Sequence, residues 1–144
     1  MRLLFSRTQP KEDAGRELPG WRKRSFALPY RGGMIWFKHL DGLGPHTALA
    51  RKKLAQDRHE LLSPSGPGLV CVALTETRVD DALADELMDA LIHGGKRFTR
   101  VCMVGADFRA RRRFRRAAGN AVPLAFLPGL ERAKEWLIPA GKAE

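Results

Sequence analysis

Arg100-Val101-Cys102-Met103-Val104-Gly105-Ala106-Asp107-Phe108, followed by Arg109-Ala110-Arg111-Arg112-Arg113-Phe114-Arg115-Arg116, is the stretch whose reading decides the fold. Its first part is a short apolar run rich in β-branched residues and bounded by a glycine, as suits a strand buried on both faces. Its second part has the spacing of a helix: Ala110, Phe114 and Ala117 recur at i, i+4 and i+7 and predict a buried stripe. At about 100° per residue, Arg112, Arg115 and Arg116 fall opposite that stripe, with Arg109 and Arg111 at its flanks. A buried strand therefore feeds a helix whose outer surface is almost entirely guanidinium.

The chain of 144 residues has room for one domain and a tail. Its formal net charge of +10 is concentrated in two places. Residues 1–24 carry seven basic and three acidic side chains, and Arg109 to Arg116 carry six arginines and no acid. The remainder is neutral, so the basicity belongs to an arm and one helix. Such a balance attracts acidic partners: nucleic acid, anionic lipid headgroups or an acidic protein surface. A plain solvated helix face is the alternative, because arginine is a good helix former.

The two cysteines, Cys71 and Cys102, each fall inside an expected strand and read as core thiols. Their number and separation provide no disulfide framework and no metal-ligand spacing. The apolar run near Met1 spans three residues, too short for a signal-peptide core, and no stretch reaches membrane-spanning length. A cytoplasmic location is the expectation.

Residues 1–24 are polar and basic, interrupted by Pro10, Gly15, Pro19 and Gly20, and read as a mobile arm in which Trp21 is suited to docking. Residues 25–140 form the expected domain, and 141–144 a tail. Ser25 to Leu28 is an expected edge strand stopped by Pro29, and Arg31-Gly32-Gly33 a hairpin turn into a strand over Met34 to Leu40. Pro45 is placed to open a helix in which Ala50, Leu54, Asp57 and Leu61 share one side and Arg51, Lys52, Lys53 and Arg58 lie largely outside it. After a breaker loop, Ser63 to Gly68, comes a strand over Leu69 to Leu74. Asp80-Asp81 caps a helix with Leu83, Leu87, Ala90 and Leu91 buried, stopped by Gly94-Gly95. Beyond the arginine helix, Ala121 to Leu127 predicts a strand that Pro123 places at an edge. A last helix turns Leu130, Ala133, Trp136 and Leu137 inward. This alternation predicts an α/β fold: a mixed, mostly parallel sheet of four to five strands with helices packed on it.

Ile35-Trp36-Phe37 leading into Leu40-Asp41-Gly42-Leu43, then Val79-Asp80-Asp81, Val101 to Gly105, and the closing Leu130-Glu131-Arg132-Ala133-Lys134-Glu135-Trp136-Leu137 together resemble the STAS-like family (sulphate transporter and anti-sigma-factor antagonist) in its small stand-alone bacterial branch. The resemblance covers about Tyr30 to Ile138. It implies a non-catalytic module that binds partners, in whose regulatory members a serine at the start of the helix after the central strand is phosphorylated. Here that position falls at or near Ala82, which has no hydroxyl. Thr75 and Thr77 lie earlier, and Glu76, Asp80 and Asp81 would repel a phosphate on either.

In open α/β sheets ligands bind beyond the carboxyl ends of the strands, where this chain offers Asp41, Thr75, Thr77 and Asp107. Helix capping is the plainer role for Asp107 and Asp80. Val104-Gly105-Ala106-Asp107 lacks the glycine series of a nucleotide-binding turn. His39, His46, His59 and His93 are dispersed, and no nucleophile elbow accompanies them. No cofactor and no metal are expected. The functional expectation is a STAS-like interaction module, not an enzyme, docking an acidic protein through Arg109, Arg111, Arg112, Arg115 and Arg116, with the loop of Asp41, Thr75, Thr77 and Asp107 as a secondary site. A non-specific nucleic-acid-binding protein is the alternative, a small-molecule or lipid carrier a third reading, and a homodimer contact a further use of the same surface.

Overall fold

A computed structural model describes residues 17–61, 68–93 and 98–140, with side chains at 57–61 excepted. The short helix α1 (Pro19–Arg22) precedes a hairpin of β1 (Phe26–Tyr30) and β2 (Gly33–His39). There follow α2 (Thr47–Leu61), β3 (Leu69–Ala73), α3 (Asp81–His93), β4 (Arg100–Val104), α4 (Phe108–Ala118), β5 (Leu124–Leu127) and α5 (Leu130–Leu137). The five strands lie in the order β1-β2-β3-β4-β5; β1 is antiparallel to β2 and every other pair is parallel. The expected α/β architecture with a mixed, mostly parallel sheet is the one observed.

The hairpin turn forms because Arg31 and Gly32 both take positive φ, 48° and 80°, the twist that a two-residue connection requires. Pro29 does not stop β1; it sits inside it, opposite Met34. An edge strand tolerates proline because one side of its ladder needs no donor. Arg31 clamps the hairpin to α5, donating to both carboxylate oxygens of Glu135 at 3.1 and 2.7 Å and to the Ile138 carbonyl at 3.2 Å.

Alternate strand residues point to opposite faces and build two apolar layers. Val70, Val72, Val101 and Met103 meet Leu49, Ala50 and Leu54 of α2, Leu83, Leu87 and Leu91 of α3, and Ala110 and Phe114 of α4. Ile35, Phe37, Cys71, Ala73, Cys102 and Val104 meet Ala133 and Leu137 of α5 on the other face. Each crossover steps to the next strand in one direction and returns over one face, so all three share a hand. The buried stripe expected in α3 is present in full.

Four further expectations need correction. Ala117 is exposed and Ala118 is buried in its place, because α4 packs along the i+4 ridge of Ala110, Phe114 and Ala118, inclined to its axis. Lys53, expected outside, is 4% exposed, its Nζ donating to the Gly20 carbonyl at 2.7 Å. Leu130 is exposed, since it precedes the turn of α5 that reaches the sheet. The last strand begins at Leu124 rather than Ala121, Pro123 marking its start. Side chains of Asp57 and Leu61, and the turns around Ser63 to Pro67 and Gly94-Gly95, lie outside the described residues.

Of the arm expected over 1–24, residues 1–16 lie outside the described residues, and α1 is folded against the domain. Trp21 packs on the helix-covered core layer and Gly20 is buried, its Cα 3.4 Å from where a Cβ on Gly42 would stand. A side chain at Gly20 would overlap the carbonyl of Asp41, so only glycine permits this approach.

Candidate functional site

The carboxyl ends of the strands are joined by a backbone zipper. The Gly42 N–H donates to the Thr75 carbonyl at 2.9 Å, that of Gly44 to Glu76 at 2.8 Å, and that of Arg78 back to Gly44 at 2.9 Å. Thr77 locks it, donating its hydroxyl to the Leu40 carbonyl at 2.6 Å while accepting from the Leu43 N–H at 3.1 Å. Its Oγ is thus committed to structure. Thr75 is exposed, beside Gly105 (φ +85°), where any Cβ would overlap the Thr75 backbone.

The carboxylates of this end are equally committed. Asp107 Oδ1 accepts from the Ala110 N–H at 2.8 Å and Asp80 Oδ1 from the Leu83 N–H at 2.9 Å, the N-cap geometry that offsets unpaired donors in a first turn. Between these helix starts lies an open cleft of about 460 Å³, lined in part by Arg78, Asp81, Arg109 and Arg113. The structure therefore brings Thr75, Thr77 and the loop of Asp41 into one zippered rim, while Asp107 serves its own helix.

Asp41 belongs to a cluster that sequence reasoning missed. His39 Nδ1 donates to Asp41 Oδ1 at 2.7 Å, and Lys23 Nζ reaches Asp41 Oδ2 at 2.6 Å. Burial alone would raise the Asp41 carboxyl, but the hydrogen bonds of His39 and Lys23 outweigh it and hold Asp41 well below the usual carboxylate range. The His39 ring stacks on Phe37 with centroids 4.8 Å apart, and Phe37 on Phe26 at 5.4 Å. The i, i+2 spacing of His39 and Asp41 was the only signal available in advance.

The arginines of α4 divide by their angular position around Phe114, which points into the core. Arg113 turns toward α3, donating to Asp85 at 3.0 and 2.7 Å and lying 3.6 Å from Asp81. Its guanidinium holds the Asp85 carboxyl below its ordinary value. Arg115 turns the other way, its guanidinium over the Phe126 ring at 4.7 Å. Arg111, one turn earlier on that side, is half-buried with its Nε unpartnered among the described residues. Arg109, Arg112 and Arg116 face outward, at about 140–160° from Phe114 by helical geometry. Phe108 joins them, 65% exposed, with the Arg112 guanidinium 5.7 Å from its ring centroid.

Among the described residues, none of Arg109, Arg111, Arg112, Arg115 and Arg116 pairs with a carboxylate. Arg109, Arg112 and Arg116 line a shallow concavity of about 480 Å³ together with Phe108, Asp81 and Arg113. Arg115, expected opposite the buried stripe, instead lies toward β5, and Arg111 beside it. Among the described residues no cluster of His, Cys, Asp and Glu could hold a metal, and no helix is long and apolar enough to cross a membrane. Comparison with protein-family models, with curated proteins and with solved structures gave no match.

Proposed function

We propose that this chain is a non-catalytic, STAS-like interaction module that docks an acidic protein surface through the outer face of α4. One observation carries the reading: three outward guanidinium groups, Arg109, Arg112 and Arg116, line a shallow concavity shared with Asp81, and none of the three pairs with a carboxylate among the described residues. Arginine suits this role because its planar fork meets carboxylates in pairs and loses less hydration than an ammonium. The exposed Phe108 supplies an apolar anchor of the kind that binding interfaces concentrate at their centres. Three strand–helix repeats on consecutive strands, preceded by a hairpin, support the STAS-like reading. The commitment of Thr77, Asp80 and Asp107 to loop and cap bonds argues against chemistry at the strand ends. The cleft between α3 and α4 sets Arg78, Asp81, Arg109 and Arg113 beside small apolar side chains such as Val79 and Ala82, a poorer fit to a carrier than a predominantly apolar pocket.

The test is capture from a nuclease-treated native lysate by the wild-type chain and by a variant with Arg109, Arg112 and Arg116 replaced by alanine. An acidic protein retained by the first, lost from the second and released by salt is the expected result. Identical capture by both would refute the reading.

A second reading, non-specific binding of nucleic acid, is favoured by one feature: Phe108 among the arginines offers a stacking surface for a base. Three phosphate contacts with a single strand predict about a 20-fold loss of affinity between 50 and 200 mM salt. Salt-insensitive binding of an oligonucleotide, or binding unchanged in the triple variant, would dismiss it.

A further inference from the structure

We infer that the free edge of β5 is a second recognition site, which takes an extended acidic segment of a partner as a sixth strand under the Arg111–Arg115 ridge of α4. The two ends of the sheet are unlike. At β1 the edge carries Pro29 in mid-strand, which removes a donor, and is followed by the turn clamped to Glu135. At β5 every residue is half-buried, whereas the parallel strands β3 and β4 are buried along nearly their whole length.

The direction of the open groups follows from the ladder. The Pro123 carbonyl accepts from the Val101 N–H at 2.9 Å, so Pro123, Ala125 and Leu127 turn their backbone groups toward β4. Leu124 and Phe126 consequently turn their N–H and C=O groups away from the sheet. Among the described residues β5 has only β4 as a neighbour.

The chemistry of the occupant is set by what overhangs this edge. Arg115 lies over the Phe126 ring, and Arg111 follows on the same ridge with its Nε unpartnered among the described residues. Arg111 and Arg115 are four residues apart, about 6 Å along the helix axis. Alternate residues of a strand are about 6.7 Å apart on one face. A strand with acids at alternate positions therefore places successive carboxylates beneath successive guanidiniums. Its intervening side chains fall on the other face, beside Ala125 and Leu127, which are half-buried in the α5-covered layer or adjoining it. A groove of about 470 Å³ lined by Arg115, Ala118, Gly119, Val122 and Leu124 continues this edge at its entry.

Charge selects among occupants. A second copy adding its own β5 would bring both ridges of arginines onto one face of the joined sheet, where they repel. The chain's own residues 1–24 carry a surplus of four positive charges and are no better matched. The site is separate from the outer face of α4, so each can fail without the other.

The probe is an acetylated, amidated heptapeptide, Glu-Val-Glu-Val-Glu-Val-Glu, against the same peptide N-methylated at every residue, which keeps the charge and loses the donors. The expected result is a loss of more than about tenfold on methylation. Slowed hydrogen exchange at the Leu124 and Phe126 amides should accompany binding of the unmethylated form. Replacing Arg111 and Arg115 by alanine should weaken it by about fivefold, the scale of exposed ion pairs. Leu124→Pro removes one outward donor without touching the β4 ladder and should weaken binding of the unmethylated peptide and narrow its advantage over the methylated one. Replacing Arg109, Arg112 and Arg116 should lower both peptides alike and leave their ratio intact. Equal binding of the two peptides, no protection at those amides, or a dimer in solution joined through β5 would overturn the inference.

Discussion

Asp41 shows how much one side chain is asked to do. It holds His39 at 2.7 Å and Lys23 at 2.6 Å, and so joins the end of β2 to the segment that carries α1. Its folded carboxyl is held below the ordinary value by those hydrogen bonds, against the opposing effect of burial. A depressed carboxylate contributes stability above its unfolded pKa, about 3.9, and loses it as pH falls toward the folded value. The wild type should therefore shed this part of its stability below about pH 4. Asp41→Asn, already lacking it, should show a lower melting temperature at pH 6, and calorimetry from pH 6 to 3 should find the gap closing. Gly20→Ala tests the other side of the contact: a Cβ there meets the Asp41 carbonyl, so α1 should be displaced and the bonds after Arg22, Lys23 and Arg24 opened to limited trypsin digestion. A digestion pattern unchanged from wild type would count against the docked arm. Neither Gly20 nor Lys53 was legible beforehand, because their roles come from a contact between segments 33 residues apart.

Among the elements, α4 separates its stabilising polar groups from those left for partners. Its start is secured by Asp107, and loss of that cap in Asp107→Ala should cost about 1 kcal/mol in chemical denaturation. Arg113→Ala removes an exposed bridge to Asp85 and should cost about 0.5 kcal/mol or less. The reverse order of these two losses would mean that the Arg113 bridge, rather than the cap, secures the helix. That α4 is a cationic helix with Ala110 and Phe114 inside was readable from its 3.6-residue period. Its exact roll was not, because Ala117 and Ala118 are both acceptable to the period and only the incline of the packing ridge selects Ala118. The same roll assigns Arg113 to α3, Arg115 to β5, and only Arg109, Arg112 and Arg116 to the outside.

Across the whole molecule, the two cysteines report on cooperativity. Cys71 and Cys102 stand opposite one another on the central strands β3 and β4, both buried beneath α5. The contact with Cys102 and then burial push the Cys71 thiol up, far from reactive. Labelling both thiols with an aromatic disulfide should be negligible in the native protein, proceed at a common rate, and accelerate with denaturant as global unfolding does. Fast native labelling of one thiol alone would show that α5 opens independently of the sheet.

What the amino-acid order alone determined is the α/β alternation, the buried character of β3 and β4, the capping carboxylates and the location of the excess charge. These follow from local periodicity and from side chains acting within a turn of their own backbone. Only tertiary structure decided which arginines face outward, that Thr77 spends its hydroxyl on a neighbouring loop, and that Lys53 is buried against Gly20. The reason is physical: each of these depends on what stands across a gap in space, and a distant partner leaves no mark on the period of the segment it touches.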